Sequence, residues 1–335
     1  MYAGICTRSV RSAKPAAAAV VRAIAATSSK SSMAWRSYSQ QSRRLLTSAL
    51  LQTRRHHRGI ATIVGKGKPG TSDFKMETVE NESGKQISAW HDIPLFCEGE
   101  GLNMVVEIPK YTKAKMEINT KLELNPIVQG ETMLTSTTID TKKGVLRDYH
   151  GPIFWNYGAL PQTWEDPNEK GGEEVGYCCG DNDPLDVVEI GSEAMNPTQH
   201  IDPSYGVNPA CEVVVIIFDF VTKIPVANQP LGVLAMIDSG ELDWKVLAIS
   251  LEDPLASDLN DVADIKRLLP NTIAGIREWF RWYKTPDGKP LNTFGYDEIV
   301  QDAAFTQEVI LHTHQSWKGL IQGEREPGEN WIGFN

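Results

Sequence analysis

The sequence predicts an α+β fold with a mainly β core, in which a closed or nearly closed sheet is covered by a few helices. Two observations lead to this prediction. Runs rich in β-branched residues or in period-two alternation come first along the chain, and amphipathic helical runs follow them near the C-terminus. About 260 residues from residue 75 onward also show no break in composition, which is within the size of one domain.

Six runs have the pattern of β-strands, because they alternate between apolar and polar residues or are rich in valine and isoleucine. They are NMVVEI (103–108), KAKMEI (113–118), LDVVEI (185–190), CEVVVIIFDFV (211–221), LGVLAMI (231–237) and WKVLAIS (244–250).

Helical patterns follow the strands. The run DVADIKRLL (261–269) stops before Pro270, which cannot continue a helix. The run NTIAGIREWFRWY (271–283) places its large apolar residues on one face, as an amphipathic helix does. A longer amphipathic segment, YDEIVQDAAFTQEVILHTHQSWKGLI (296–321), lies near the C-terminus.

The N-terminal segment differs sharply in charge from the rest. Residues 1–58 contain eleven Lys and Arg but no Asp or Glu. An Arg-, Ser- and Ala-rich segment without acids resembles a mitochondrial transit peptide, so we expect the protein in the mitochondrial matrix; a disordered basic tail that binds nucleic acid is the alternative. The expected organisation is a transit peptide at 1–58, a linker at 59–74, one main domain at 75–323 and a C-terminal tail at 324–335.

All 43 acidic residues follow residue 58, so the main domain is strongly acidic. An acidic surface disfavours a nucleic-acid groove, which needs basic and aromatic residues. No apolar run approaches twenty residues, and we therefore expect no insertion into a membrane.

The stretch GDNDPLDVVEIG (180–191) crowds Asp181, Asp183 and Asp186 together just before a strand. Carboxylates this close repel one another unless they hold a cation or lie in water. A calcium-binding EF-hand loop is excluded, because its sixth and twelfth positions need Gly and Glu, whereas this stretch has Asp186 and Ser192.

Carboxylates recur on other strands, together with cationic residues. Asp238, Glu241 and Asp243 border two strands, and Lys245 follows them. A charged stripe on one strand is usually a solvated face, but recurrence on several strands favours a site that holds Mg²⁺ and an oxyanion. Candidates for contacting phosphate oxygens are Arg147, Lys115, Lys245, Lys284, Lys289, Tyr157 and Tyr283.

Several separated motifs resemble, in order, those of family I inorganic pyrophosphatases of the eukaryotic type. They are AWHDIPL, NMVVEIPKYTKAKMEIN, NYGALPQTWEDP, GDNDPLDVVEIG, DWKVLAIS and WFRWYKTPDGKP, and the similarity extends from about Trp90 to Leu320. The resemblance implies a five-stranded OB-like β-barrel flanked by helices. It also implies hydrolysis of inorganic diphosphate to two orthophosphates, with several Mg²⁺ ions per site or Mn²⁺ in their place, by a homodimer.

The resemblance also implies roles for individual residues. Asp183 orients or deprotonates the attacking water, and Glu107 supports the site. The implied metal ligands are Asp181, Asp186, Asp243, Asp238 and Glu117. The implied phosphoryl-binding residues are Lys115, Arg147, Tyr157, Lys245, Tyr283 and Lys284.

Two features depart from the family pattern. Ile153 stands where the eukaryotic branch usually has a tyrosine, and the link from Arg147 to Tyr157 is several residues short. Tyr149 can replace the missing hydroxyl if the link bends inward; a surface position is the alternative. The run GETMLTSTTID (130–140) is an extra polar loop.

Two alternatives to an active diphosphatase stay open from the sequence. One is a catalytically impaired homologue that binds metal and phosphate, because Ile153 and the shortened link border the expected site. The other is a non-catalytic OB-type module that binds nucleic acid. His312 and His314, two residues apart on a helix, point in different directions and are not expected to bind metal.

Overall fold

A mainly β structure with helices at its C-terminal end is seen in the computed structural model, which describes residues 61–96, 101–132, 145–195, 214–216 and 230–333. The expected transit peptide lies outside the described residues, as do most of the 211–221 run and of the extra loop at 130–140. The strands are β1 (Ala61–Lys66), β2 (Lys75–Glu80), β3 (Gln86–Ile87), β4 (Leu102–Ile108), β5 (Met116–Ile118), β6 (Ile127–Gln129), β7 (Glu131–Thr132), β8 (Val145–Leu146), β9 (Asn156–Ala159), β10 (Asp186–Glu189), β11 (Val214–Ile216), β12 (Gly232–Asp238), β13 (Glu241–Ala248) and β14 (Thr293–Phe294).

Within the described residues, the largest sheet has seven strands in the order β11-β4-β9-β10-β13-β12-β14. Strands β10 and β13 run parallel, and the other neighbours in this sheet are antiparallel. Gly158 in β9 is required by this packing, because a Cβ atom there would lie 2.0 Å from the Val105 carbonyl oxygen of β4. A second sheet has the order β1-β2-β6-β5, with β3 paired to β2, and β7 pairs with β8.

Three α-helices are present in the described residues: α1 (Val262–Leu268), α2 (Thr272–Trp282) and α3 (Ala303–Ile321). Helix α3 begins after Asp302, whose side chain accepts a hydrogen bond from the Phe305 backbone N–H. Helix α2 buries Ile276 and Phe280 on one face. None of the described helices is long and apolar enough to cross a membrane.

The α+β class with a mainly β core is confirmed. Each of the six predicted strand runs contains a strand in its described part, and the three helical runs form helices, although α3 begins seven residues later than its run. The sequence patterns missed the other eight described strands, which are β1, β2, β3, β6, β7, β8, β9 and β14. The predicted linker at 59–74 contains β1, whose six residues pair with β2.

The predicted C-terminal tail also packs against the rest of the chain. The backbone N–H of Trp331 donates to the Thr120 carbonyl at 2.7 Å. The Asn330 side chain donates to Asn182 at 2.8 Å, and Asn182 lies between two of the clustered aspartates. The tail therefore supports the turn on which the aspartates lie.

Candidate active site

Two neighbouring parallel strands bring the charged centre of the site together. The register of β10 and β13 places Asp186 opposite Lys245, and Asp243 lies two residues before Lys245 on the same face. The Lys245 ammonium group donates to carboxylate oxygens of both aspartates, although its side chain is only 1% exposed. Burial alone would lower the pKa of Lys245, but the two carboxylates outweigh it and raise that pKa well above its usual value.

A group of three carboxylates includes Asp243. One oxygen each of Glu165, Asp181 and Asp243 lies within 4.8 Å of the other two. Burial, reinforced by neighbouring negative charges, raises the pKa of all three carboxyls well above their usual range. Oxygen donors this close suit a hard divalent cation such as Mg²⁺. Of the five metal ligands that the resemblance implies, the structure places Asp181 and Asp243 in this group.

The other three carboxylates of that implied set lie outside the group, and each forms an ion pair with a lysine. The pairs are Asp186 with Lys245, Asp238 with Lys284 and Glu117 with Lys115. Cationic and anionic side chains therefore alternate around the site, which is the combination needed to hold cations and a polyanion together.

Glu165 was not among the predicted site residues, although it belongs to the TWEDP part of the NYGALPQTWEDP motif. Glu165 is 4% exposed and lies in a loop between β9 and β10, where no periodicity marks the direction of a side chain. The available signal was its position in a loop motif rich in aromatic and acidic residues. The structure shows that this loop lies against the aspartate turn.

Asp183 occupies the exposed side of the same turn. Its backbone N–H donates to an Asp181 carboxylate oxygen at 3.1 Å, which fixes the turn. Desolvation by the surrounding protein, with the nearby charges of Glu117 and Asp186, raises the pKa of Asp183 to about 7. A carboxyl with this pKa is able to accept and release a proton near neutral pH.

Tyr157 and Glu107 form the buried side of the site. The Tyr157 hydroxyl donates to the Asp186 carboxylate. Glu107 is 4% exposed and accepts a hydrogen bond from the Ile118 backbone N–H at 2.7 Å. The face of β4 that carries Glu107 is therefore buried. The interpretation of this face as a charged surface in contact with solvent is excluded. Burial, together with the negative charge of Asp186, raises the pKa of Glu107 well above its usual range.

Arg147 and Tyr149 reach the site on a segment that pairs with residues 113–115. The Lys115 backbone N–H donates to the Arg147 carbonyl at 3.0 Å, and the Tyr149 N–H donates to the Lys113 carbonyl at 2.7 Å. In this register Arg147 and Tyr149 share a face with Lys115. The guanidinium group of Arg147 forms no hydrogen bond with any described residue.

The shortened link bends inward, so the surface alternative for Tyr149 is wrong. Tyr149 is 6% exposed, and its ring makes edge contacts with Trp279 and Tyr283 at centroid distances of 4.8 and 5.8 Å. Burial raises the pKa of its hydroxyl, while the Lys115 ammonium acts in the opposite direction. Ile153 is fully buried in the hydrophobic core.

A third part of the site lies at the start of the turn between β12 and β13. The Tyr283 hydroxyl donates to Asp238 at 2.9 Å, and the Lys284 ammonium group contacts the same carboxylate. These contacts outweigh the effect of burial and lower the pKa of Asp238. Lys289 is exposed.

A cavity of about 450 Å³ adjoins Glu165 but lies apart from the ion pairs. Trp164, Trp244 and the α3 residues Phe305 and Val309 contribute to its lining, whereas Asp186 and Lys245 do not. The charged group around Lys245 and this partly apolar cavity are therefore different features. His312 pairs with Glu169, and His314 contacts the Gln162 carbonyl.

Comparisons with known proteins identify relatives along most of the chain. The family model for inorganic pyrophosphatase matches residues 104–203 and 209–318. A chloroplastic soluble inorganic pyrophosphatase 6 from Arabidopsis thaliana is 45% identical over 264 residues, or 79% of this chain and 76% of the relative. A human inorganic pyrophosphatase is 43% identical over 72% of this chain and 73% of its own length. The crystal structure of a type I inorganic pyrophosphatase from Toxoplasma gondii has a TM-score of 0.64 and 44% identity, and covers 78% of this chain and 100% of that one.

Proposed function

The chain belongs to the family I inorganic pyrophosphatases and hydrolyses inorganic diphosphate to two orthophosphates, and we propose that it does so in mitochondria with Mg²⁺ at the carboxylate group described above. The observation that supports this mechanism best is the convergence of Asp181 and Asp243 beside the buried Lys245. It joins, in one place, oxygen donors for cations and nitrogen donors for phosphate.

The side chains present fit Mg²⁺. The donor set consists of hard carboxylate oxygens, and one buried oxygen of Glu165 has no hydrogen-bond partner among the described residues. Asp181 and Asp243 would hold the ion, with Asp186, Asp238 and Glu117 available for further ions. When bound, Mg²⁺ supplies Lewis-acid chemistry, which neutralises phosphoryl oxygens and makes water easier to deprotonate. Mn²⁺ has similar oxygen preferences and is expected to substitute.

The basic and phenolic residues bind and orient the substrate. Lys245, Lys284 and Lys115 are held at fixed positions by their carboxylate partners, so their charges are preorganised before diphosphate arrives. Arg147 adds a planar guanidinium that can contact two phosphoryl oxygens. The hydroxyls of Tyr157 and Tyr283 are further donors.

Asp183 acts as the general base. It takes a proton from the attacking water as the new O–P bond forms and the bridging P–O bond breaks. Its pKa of about 7 leaves a substantial fraction ionised at neutral pH, and its exposed position allows the proton to leave for solvent. Glu107 supports the site from the buried side through the Ile118 backbone.

A phosphate-release assay on the full chain tests the substrate and the metal requirement together. Diphosphate, a nucleoside triphosphate and a phosphomonoester are each supplied with Mg²⁺ and with a chelator. We expect rapid release only from diphosphate with Mg²⁺. Equal release from the phosphomonoester, or release unaffected by the chelator, contradicts the proposal.

Replacing the general base gives a sharper test. Asp183→Asn keeps the size of the side chain but removes its basicity, so we expect kcat to fall by about 10²- to 10⁴-fold with little change in KM. A kcat within a few-fold of the unmodified enzyme removes Asp183 from this role. A catalytically impaired homologue would instead show low turnover in the unmodified protein with intact Mg²⁺ binding.

The cellular location rests on the acid-free basic segment at residues 1–58. Transit peptides of mitochondria and chloroplasts share this composition, and the name of the Arabidopsis relative is chloroplastic. Fusing residues 1–58 to a fluorescent protein distinguishes the possibilities, with fluorescence in mitochondria as the expected result. Plastid or cytosolic fluorescence overturns the mitochondrial assignment.

The expected organisation and partners are also part of the proposal. We expect processing near residue 58, a catalytic domain at 75–323, a homodimer, and no binding to nucleic acid, since all 43 acidic residues follow the basic segment. Light scattering on the processed protein measures the dimer. A titration with single-stranded oligonucleotides at low salt measures binding to nucleic acid. Salt-sensitive binding by the processed protein contradicts the expectation that there is none.

A further inference from the structure

Glu165 has one carboxylate oxygen that no described hydrogen-bond donor contacts. Its Oε1 accepts a hydrogen bond from the Trp244 backbone N–H at 3.0 Å, whereas its Oε2 is buried without a partner. The residue is 4% exposed. A buried carboxylate oxygen without a partner is costly, because it loses its hydration and gains nothing in return. Such an atom in a native site indicates a ligand that it is built to contact.

The surroundings of Glu165 specify a cation. Asp181 and Asp243 each place an oxygen within 4.8 Å of a Glu165 oxygen. Lys245 contacts Asp243 and Asp186, and no ion pair joins it to Glu165. Asp181 and Asp243 act on Glu165 more strongly than Lys245 does, so the three carboxylates repel one another unless a positive ion lies among them.

The spacing of the three oxygens is close to that of an octahedral cation site. Oxygens bound to one Mg²⁺ lie about 3 to 4 Å apart, because each Mg–O bond is about 2.1 Å. The three oxygens lie within 4.8 Å of one another, which is close to that spacing.

The backbone holds Glu165 firmly against the aspartate turn. The Glu165 N–H donates to the Asp183 carbonyl at 3.0 Å, and the Asn182 N–H donates to the Glu165 carbonyl at 2.9 Å. A Cβ atom on Gly180 would lie 2.5 Å from the Glu165 carbonyl group, so only glycine permits this approach. Glu165 is therefore fixed in position relative to Asp181 by the fold itself.

We propose that Glu165 is a third carboxylate ligand of the divalent-cation site that Asp181 and Asp243 form. This inference rests on the proposed function and adds to the site a residue that comes from a different loop. It also explains why the TWEDP loop pairs through its backbone with the aspartate turn.

The test compares Mg²⁺ binding by three variants of the full chain. Glu165→Gln keeps an oxygen that can accept from Trp244 but removes the negative charge. Glu169→Gln is the matched control, since it makes the same change on the same loop in a residue that pairs with Arg325 and His312. Asp243→Asn is the positive control within the carboxylate group.

We expect Glu165→Gln to weaken Mg²⁺ binding at least about 10-fold in calorimetric titrations, because changes even to groups that only support metal ligands weaken binding about 10- to 100-fold. Asp243→Asn should weaken it at least as much, and Glu169→Gln should leave it unchanged. The thermal midpoint gives a readout that is independent of activity. In a chelator the midpoint of Glu165→Gln should equal or exceed that of the unmodified protein, because one of three repelling carboxylates is gone, and its rise on adding Mg²⁺ should be smaller.

Three outcomes overturn the inference. Mg²⁺ affinity of Glu165→Gln equal to that of the unmodified protein removes Glu165 from the ion. A midpoint in chelator well below that of Glu169→Gln assigns it a structural role instead. Weakening by Glu169→Gln to the same extent makes the effect a general property of the acidic loop. Failure of the proposed function is a different result, since the unmodified protein would then neither bind Mg²⁺ nor hydrolyse diphosphate.

Discussion

Lys245 is the buried cation on which the charge balance of the site depends. It bridges Asp186 and Asp243, and its side chain is 1% exposed. Removing one partner of a buried ion pair leaves the other charge uncompensated in a medium that solvates it poorly. The lysine therefore stabilises the protein before any substrate arrives, in addition to the phosphate-binding role proposed for it.

Lys245→Met tests this dual role. We expect the free energy of unfolding without added metal to fall by about 3–5 kcal/mol, because the buried Asp243 and the partly buried Asp186 lose their shared partner. Mg²⁺ should restore part of that loss but not the activity. Chemical denaturation with and without Mg²⁺ measures the first effect and phosphate release the second. An unfolding free energy unchanged in chelator contradicts the account.

Tyr149 supplies a second prediction at the scale of one residue. Its ring is buried against Trp279 and Tyr283, and its hydroxyl lies near the Lys115 charge. Tyr149→Phe keeps the ring contacts but removes the hydroxyl, so we expect little change in thermal stability. If the hydroxyl contacts diphosphate, KM should rise or kcat fall by about 10-fold, as for one hydrogen bond to a charged group. Phe154→Leu, at a ring that is 50% exposed, is the control, and equal kinetics for both variants count against a role for the hydroxyl.

What could be predicted for individual residues depended on where they lie in the sequence. Asp181, Asp183 and Asp186 were recognisable because they crowd into one turn. Glu165 and the inward position of Tyr149 were not, because tertiary folding brings their loops to the site. A side chain in a loop has no period that reveals its direction, whereas one in a strand does.

At the scale of elements, the strands that carry the site were predictable and their pairing was not. The runs at β4, β10, β12 and β13 show alternation or valine-rich cores, which identify buried strands. The parallel pairing of β10 with β13 joins residues far apart in the chain, and it alone places Asp186 opposite Lys245. The four residues of β9 include Gly158, which has weak strand propensity and is there because the sheet leaves no space for a side chain.

The C-terminal segment supports the aspartate turn and is therefore more than a tail. Asn330 exchanges hydrogen bonds with Asn182, whose φ of 73° is uncommon for a residue other than glycine. We expect Asn330→Ala to lower the free energy of unfolding by about 1 kcal/mol and to reduce kcat several-fold, because the turn carrying Asp181 and Asp183 is held less tightly. Thermal unfolding and phosphate release measure the two effects.

The neighbouring Glu329→Ala is the control for this prediction. Glu329 forms a surface ion pair with Lys121 in which both side chains are more than half exposed, at 77% and 59%. Such pairs contribute little to stability, so no measurable change is expected. Equal effects of the two substitutions would mean that the segment acts by general packing and not through Asn182.

For the whole molecule, the sequence was enough to predict the fold class and a separate basic segment. Strand-like runs, helix-like runs and charged residues are each concentrated in different parts of the chain. The order of strands before helices gave the α+β class, and the acid-free first 58 residues separated a basic segment from an acidic body. Only the structure shows which acidic side chains of this body come together in the site. Glu107 and Asp243 are buried, and desolvation by the surrounding protein raises the pKa of both and also of Asp181 and Asp183.

These raised pKa values predict how stability depends on pH when no metal is bound. A carboxyl whose pKa is higher in the folded than in the unfolded state contributes stability that is fully present below the unfolded pKa and is lost as pH rises through the folded pKa. For Asp183 that window runs from the ordinary value of 3.8 to about 7. The other raised carboxyls act in the same direction, so the chelated protein should become less stable as pH rises from about 5 to 8.

Mg²⁺ should reverse this trend, because it binds the ionised carboxylates and its binding releases protons. We therefore compare the thermal midpoint in Mg²⁺ with that in chelator at each pH. The difference between the two midpoints is expected to grow steadily from pH 5.5 to pH 8. His91 acts oppositely, since burial lowers its pKa and stability is lost as pH falls below 6.5, but it contributes equally with and without Mg²⁺. The contribution of His91 therefore cancels in the difference between the midpoints with and without Mg²⁺. Sodium chloride at matched ionic strength controls for screening, and a Mg²⁺-induced rise that is the same at every pH would show that the buried carboxyls do not gain the charge that the ion needs.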